Sequence, residues 1–396
     1  MMRKLLILVG IGAGMLLASR AFPMGCSFRE GPDVNPAIYS LRGASRVDFL
    51  SAGASAGNNA FSMGDYSLYN GKFITEADKE EILGSVPESG LHTRAQAYAG
   101  MGAALHGRFY VAGGGRAGEN STMPRDILDL ALYGNQIGRT YSMDRASGEA
   151  MAVADISLAY SMPLDLRGRE FFAGARVHYL KGLAYGGVVW ASGCLYTGEE
   201  SLTGEGEMVV RMAEGGSGYS IDLGLAHRTY SHIIIGAYIL NAVSSIKWTD
   251  GCKEEINGVI ADNVAFGGSD PDSLIDDYHE TRDLAGFSTG IAPVLGLGLE
   301  KSTRWTYLSI LYTQGFRQGA FTSGEPRLSV TGAWDSVWIL DLRVGLAYES
   351  GFGLDERVEI GFGRSPRLEI GAGFAPLPYA SSMKQFGVTL GMSYRL

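Results

Sequence analysis

Two short motifs in this chain have the form of catalytic signatures. Gly53-Ala54-Ser55-Ala56-Gly57 has the spacing of a nucleophile elbow, in which Ser55 would attack an acyl carbon. That chemistry needs the serine on a sharp strand-to-helix turn. Asn58-Asn59-Ala60-Phe61 follows instead of a helix, so the small residues read as close packing. Gly113-Gly114-Gly115-Arg116-Ala117-Gly118 fits G-x-G-x-x-G, but a dinucleotide site needs the third glycine to open a helix. Here Glu119 to Thr122 intervene before Pro124, and the segment reads as a glycine-rich turn. His178, His227 and His232 could serve a lipid hydrolase on a barrel wall. His178 shares a strand face with Gly174 and Arg176, a lumen-type face, whereas a lipid-cleaving pair must face outward. No catalytic set emerges, and the chain reads as a non-enzyme, with a barrel-embedded lipid hydrolase as the lesser reading.

Metal and redox chemistry fare no better. The stretch 250–283 carries ten acidic residues against Lys253 and Arg282 and lacks strand alternation, which suits a long external loop. Asp270, Asp272, Asp276 and Asp277 could hold calcium, but Leu274 stands where an EF-hand loop supplies an oxygen. A solvated acidic loop is the favoured reading, and no metal or cofactor is expected. Cys194 and Cys252 are the only cysteines away from the N-terminus. Turn counting puts them on opposite rims, so no bridge is expected, and no zinc spacing occurs.

The elements that must carry any site are strands. From Met151 onward, segments of roughly ten residues alternate apolar and polar, broken by Gly, Ser, Asp or Pro. The chain ends the same way: Phe386, Val388, Leu390, Met392, Tyr394 and Leu396 are apolar, and Gly387, Thr389, Gly391, Ser393 and Arg395 between them are small or polar. Alternate residues face opposite sides of a strand, so one face wants hydrocarbon. A barrel in lipid must pair its last strand with its first to leave no edge. Trp338 and Tyr348 lie ten residues apart on one face. At about 3.3 Å per residue and a tilt of about 40°, that projects to roughly 25 Å, the height of a membrane barrel's apolar band. Trp338, Tyr348 and Tyr394 are therefore read as girdle residues.

The expected fold is all-β, an antiparallel transmembrane barrel with an N-terminal plug and short helices. Residues 1–21 read as a secretory signal peptide: Met1-Met-Arg-Lys, an apolar run from Leu5 to Ala18, then Ser19-Arg20-Ala21. A membrane anchor and lipidation at Cys26 are the competing readings. Residues 22–90 are assigned to a plug with the first strands and a short helix, and 91–396 to the barrel. Thr75 with Asp78 forms a capping box for a helix over 75–83, and Pro124 opens a second helix to Tyr133. A net charge of -9 repels nucleic acid, and no basic stripe offsets it.

The signal peptide, Asn35-Pro36-Ala37, the Asn70 to Lys79 segment leading into a helix, and strands running to the C-terminus resemble an uncharacterised group of bacterial outer-membrane barrels. That group is related to the long-chain fatty acid transporter (FadL-like) and PorV-like superfamily. The resemblance implies about 14 strands and a lumen plugged by the N-terminal segment, with Asn35, Pro36 and Ala37 as the plug motif. It implies either passage of hydrophobic or small solutes or a non-transporting scaffold that partners secreted proteins. The chain departs from the pattern in ending on Leu396, where assembly machinery usually meets an aromatic residue. Outer-membrane lipid and that machinery are the expected partners. Asp341, Arg343, Glu359, Arg367 and Glu369 fall on the lumen face, with Gly345, Gly361, Gly371 and Gly373 leaving room for the plug.

Overall fold

The computed structural model describes residues 35–396 apart from 43–44, 106, 232, 266–274, 304–305, 336–339, 364–365, 376–382 and 396. The expected signal peptide, Cys26, Trp338, His232, Asp270, Asp272, Leu274 and Leu396 lie outside the described residues.

Nineteen strands form one antiparallel sheet, and fourteen of them close into a ring. In ring order these are β1 (Arg46–Asn58), β2 (Leu91–Leu105), β3 (Phe109–Met123), β5 (Ser147–Leu166), β6 (Arg169–Thr197), β8 (Gly215–Arg228) and β9 (Ile233–Asp250), followed by β13 (Val294–Ser302), β14 (Thr306–Gly315), β15 (Pro326–Asp335), β16 (Leu340–Glu349), β17 (Gly353–Phe362), β18 (Arg367–Ala375) and β19 (Gln385–Arg395). The last strand seals against the first from Arg46↔Arg395 to Gly57↔Gln385. Closure removes the edge whose unpaired amides hydrocarbon could not satisfy. Along β19, Phe386, Val388, Leu390, Met392 and Tyr394 are exposed on the outer face, and Leu342, Val344, Leu346 and Tyr348 repeat this on β16. The barrel starts at Arg46, not at 91 as the division of the sequence expected, because β1 is a wall strand.

Connections are short at one end, such as Arg167-Gly168, whose positive φ values of 58° and 75° suit a two-residue hairpin that follows the sheet's twist. The other end carries the long ones. The helix Glu76–Ser85, capped by Thr75 with Asp78, and the helix Arg125–Tyr133, preceded by Pro124, lie in these connections. They pack on each other rather than filling the lumen.

The 29 residues of β6 would extend about 95 Å at about 3.3 Å per residue, far beyond the ~9–11 a membrane strand needs. Its upper half pairs with β4 (Thr140–Ser142) and β7 (Ser201–Ala213), which pairs with β10 (Lys253–Ala265) and then β11 (Ile275–Asp283). Much of the acidic stretch is thus a projecting ribbon rather than a loop. Its outermost strand, β11, is exposed along its whole length, so no apolar alternation marks it. Cys194 in upper β6 and Cys252 at the base of β10 are both free and both at the long-connection end. The opposite-rim expectation is corrected: β6 runs much longer than turn counting allowed.

Candidate functional site

The lumen is filled from its short-turn end by the segment Asn35 to Arg42. Asn35 sets its path: its Oδ1 accepts the Ala37 amide at 3.0 Å, and its Nδ2 donates to the carbonyl of Leu225 at 3.0 Å. The turn over Pro36–Ile38 follows, with proline's fixed φ suiting the start of a helical turn. Gly174 and Gly224 make the seat, since a Cβ on either would collide with Pro36 or with Asn35 Oδ1. Ser161 Oγ donates to the Ala37 carbonyl at 2.8 Å and accepts the Ser40 amide at 3.2 Å. Ala37 packs among Phe172, Ala226 and Ile234, and Ile38 among Tyr238, Leu240 and Leu311. Tyr39 stacks on Tyr110 of β3, centroids 4.7 Å apart.

Just above this segment four ionisable side chains converge from three strands. Arg176 Nε donates to Asp222 Oδ2 at 2.7 Å. His178 sits between two carboxylates, Nδ1 2.9 Å from Asp155 Oδ2 and Nε2 2.9 Å from Asp222 Oδ2. Asp222 Oδ1 also accepts the Asn241 amide at 2.7 Å. That amide is presented by an irregularity in β9, where the register slips and Asn241 takes φ 52°. Both imidazole nitrogens face carboxylates, so neither is placed to activate a hydroxyl. Ser55 lies buried within β1, on regular strand backbone.

The residues expected to line the lumen form a second network. Arg343 lies 3.2 Å from Glu359 and 3.6 Å from Glu369. Arg367 reaches Asp341 at 2.7 Å and Glu369 at 2.5 Å. These pairs are largely screened from solvent, where paired charges hold and unpaired ones are costly. Gly361 leaves room for Arg367, and Gly371 for Thr389 and Glu359, rather than for the plug. A third cluster crosses the interior: Arg94 of β2 donates to both oxygens of Glu349 at 2.6 Å, and Arg327 ties Glu349 to Asp355.

Between the first two networks lies a cavity of about 150 Å³. Tyr39, Tyr110, His178, Asp222 and Glu369 line it, and it rests against the wall at Leu50, Met101 and Met392, whose side chains are exposed on the outer face. The wall beside it is thin. Pairing of β1 slips between Asp48 and Leu50, and β2 and β3 meet glycine on glycine. A Cβ on Gly114 would stand 2.5 Å from the Ala99 carbonyl oxygen. Gly113 to Gly118 is therefore mid-strand in β3 and not the turn the motif suggested.

Residues 36–215 match the model of a family of unknown function, DUF5723. No curated protein matches the chain. Among solved structures, the toluene transporter TbuX of Ralstonia pickettii is 12% identical at a TM-score of 0.48, covering 91% of this chain and 92% of that one. The toluene transporter TodX of Pseudomonas putida is 10% identical at 0.47, with the same coverage. A FadL homologue of Pseudomonas aeruginosa is 12% identical at 0.44, covering 95% and 94%.

The tetrad Asp155, Arg176, His178 and Asp222 was absent from the expected site. Its signal was present: each falls on the polar face of its strand, two of them as Arg176-x-His178. Which polar faces meet around a ring is not in the local pattern. Tyr348 and Tyr394 are exposed on the outer face, each near the C-terminal end of its strand, and the two strands run in opposite directions.

Proposed function

We propose that this protein is an outer-membrane barrel, exported through a cleaved signal peptide, that binds and passes hydrophobic or small solutes. The observation that carries the reading is the cavity held inside the barrel between the Tyr39–Tyr110 stack, the His178 tetrad and the thin wall of β1 to β3. A hydrophobic solute leaves water at about 25 cal/mol per Å² of apolar area buried, and a cavity inside the barrel wall offers it such burial. A cavity of 150 Å³ holds a benzene-sized guest. A long acyl chain needs the plug segment to move. Asp341, Arg343, Glu359, Arg367 and Glu369 serve as pore lining, their mutual pairing keeping that arc of the lumen rigid.

The test is uptake by liposomes of purified protein, with a labelled fatty acid and a labelled ring-sized solute. Uptake above empty liposomes is expected, and Ser157→Trp, which fills the cavity, should lower it at least tenfold. Uptake equal to empty liposomes for both solutes sinks the reading. The projecting acidic ribbon favours a second reading, a scaffold for secreted proteins. Under it, removing 253–283 abolishes partner binding and leaves no solute uptake to lose.

A further inference from the structure

The connection Phe316 to Glu325 leaves β14 and returns to β15, yet it touches β3 and β5 far around the ring. A connection anchored there can meet β3 only by crossing the lumen. Its contacts are specific. Asn120 Nδ2 of β3 donates to the Thr322 carbonyl at 2.8 Å, and Gln318 Nε2 donates to Asn120 Oδ1 at 3.1 Å. Arg317 lies 3.3 Å from Glu149 of β5. The guanidinium of Arg116 lies over the Phe321 ring at 4.7 Å. Gly118 has no side chain because the Ala320 carbonyl occupies its place. Below the crossing, Ala320 and Phe321 pack on an apolar layer of Met151, Val153, Trp248 and Ile291. The lumen is thus closed twice, by Asn35 to Arg42 at the short-turn end and by this crossing at the other.

The two closures differ in how they are held. The N-terminal segment precedes β1 by only a few residues in sequence, and β1 is paired on both sides. The crossing is spliced between glycines, Gly315 at one end and Gly324 at φ 80° at the other, with an isolated bridge between Gly319 and Thr322 closing a tight turn. It can swing as one piece by breaking the polar contacts named above together with those of Gln318 to Ser147 and Thr122, Arg317 to the Gly290 carbonyl and Ser323 to Glu349, and by lifting Phe321.

We propose that residues 316–325 are a gate over the long-connection end of the lumen, opening for solute to reach the cavity from that side. Its biological sense rests on the solute-passage reading, but its test does not use solute. Ser157, which lines the cavity, is changed to Cys in a full-length chain whose Cys26, Cys194 and Cys252 are Ser. Labelling by a membrane-impermeant maleimide added outside intact cells is timed. Replacing 318–323 with two glycines should speed labelling at least tenfold, and Phe321→Ser should speed it by a smaller factor. Equal rates in all three proteins, each retaining heat-modifiable gel migration, overturn the gate. Faster labelling together with uptake no higher than empty liposomes supports the gate and overturns the passage reading alone.

Discussion

The arc β1 to β3 and the arc β15 to β18 are separated in the ring by β19 and are built from opposite materials. In the second, long charged side chains reach inward from strands whose registers never slip. In the first, inward positions include Gly100, Gly102 and Gly114, and β1 carries a slip. The cross-section of a barrel has to be filled. Where one arc sends arginines and glutamates inward, the other can shrink to glycine and leave a cavity against a thin wall. The arcs are joined where Arg94 of the first meets Glu349 of the second.

That junction should give the largest effect when broken. Glu349→Ala leaves the Arg94 and Arg327 guanidinium groups buried near each other, at a cost of about 3–5 kcal/mol. Urea unfolding in detergent micelles should show the loss, and an unchanged midpoint would mean the arcs are not coupled. Next is the thin wall itself. Gly114→Val forces a side chain against the backbone of Ala99 and Gly100 at a cost of about 1–3 kcal/mol. Gly361→Ala in the charged arc meets only the movable end of Arg367, 3.1 Å away, and should cost less than about 1 kcal/mol. Equal losses at the two glycines would erase the contrast between the arcs.

A smaller effect is expected at the aromatic lid of the cavity. Tyr110→Ala removes the stack on Tyr39, worth about 0.5–1.5 kcal/mol beyond area burial, and widens the cavity. The ratio of fatty-acid to ring-sized uptake should rise; a fall would show that the stack holds solute rather than limits it. The smallest lies outside both arcs. The Lys72 ammonium, then the Thr75 hydroxyl and amide, hold the Asp78 carboxyl down from 3.8 to about 2. A depressed carboxylate stabilises its fold above its ordinary pKa and loses that as pH falls through the folded value. Pepsin cleavage of the 59–90 connection should therefore rise between pH 4 and pH 2, beyond pepsin's own pH profile, and Asp78→Asn should flatten the change.

Much of the charged arc could be read in advance because each strand there obeys a period of two over its membrane-crossing length. Asp341, Arg343, Glu359, Arg367 and Glu369 differ in parity from their apolar neighbours, and that parity is the lumen face. The capping box at Thr75 was equally local. The projecting ribbon was not legible, because strands wet on both faces lose the period that marks them. Nor was the starting point of the barrel: β1 reads Ser-Ala-Gly-Ala-Ser-Ala-Gly, with no greasy face of its own, and is made a wall strand by pairing with β2 and β19.

By itself the sequence determined that this chain makes an antiparallel barrel with one apolar side and a polar interior, since alternation along a strand is a local property of side-chain direction. Only the tertiary structure decided which interior residues meet. Asp155, His178 and Asp222 are brought together by neighbouring strands, Arg94 and Glu349 by closure of the ring, and Asn120 and Thr322 by a connection crossing the lumen. Those distances depend on ring size, strand stagger and the slips in β1 and β9, which belong to the closed sheet and to no single segment.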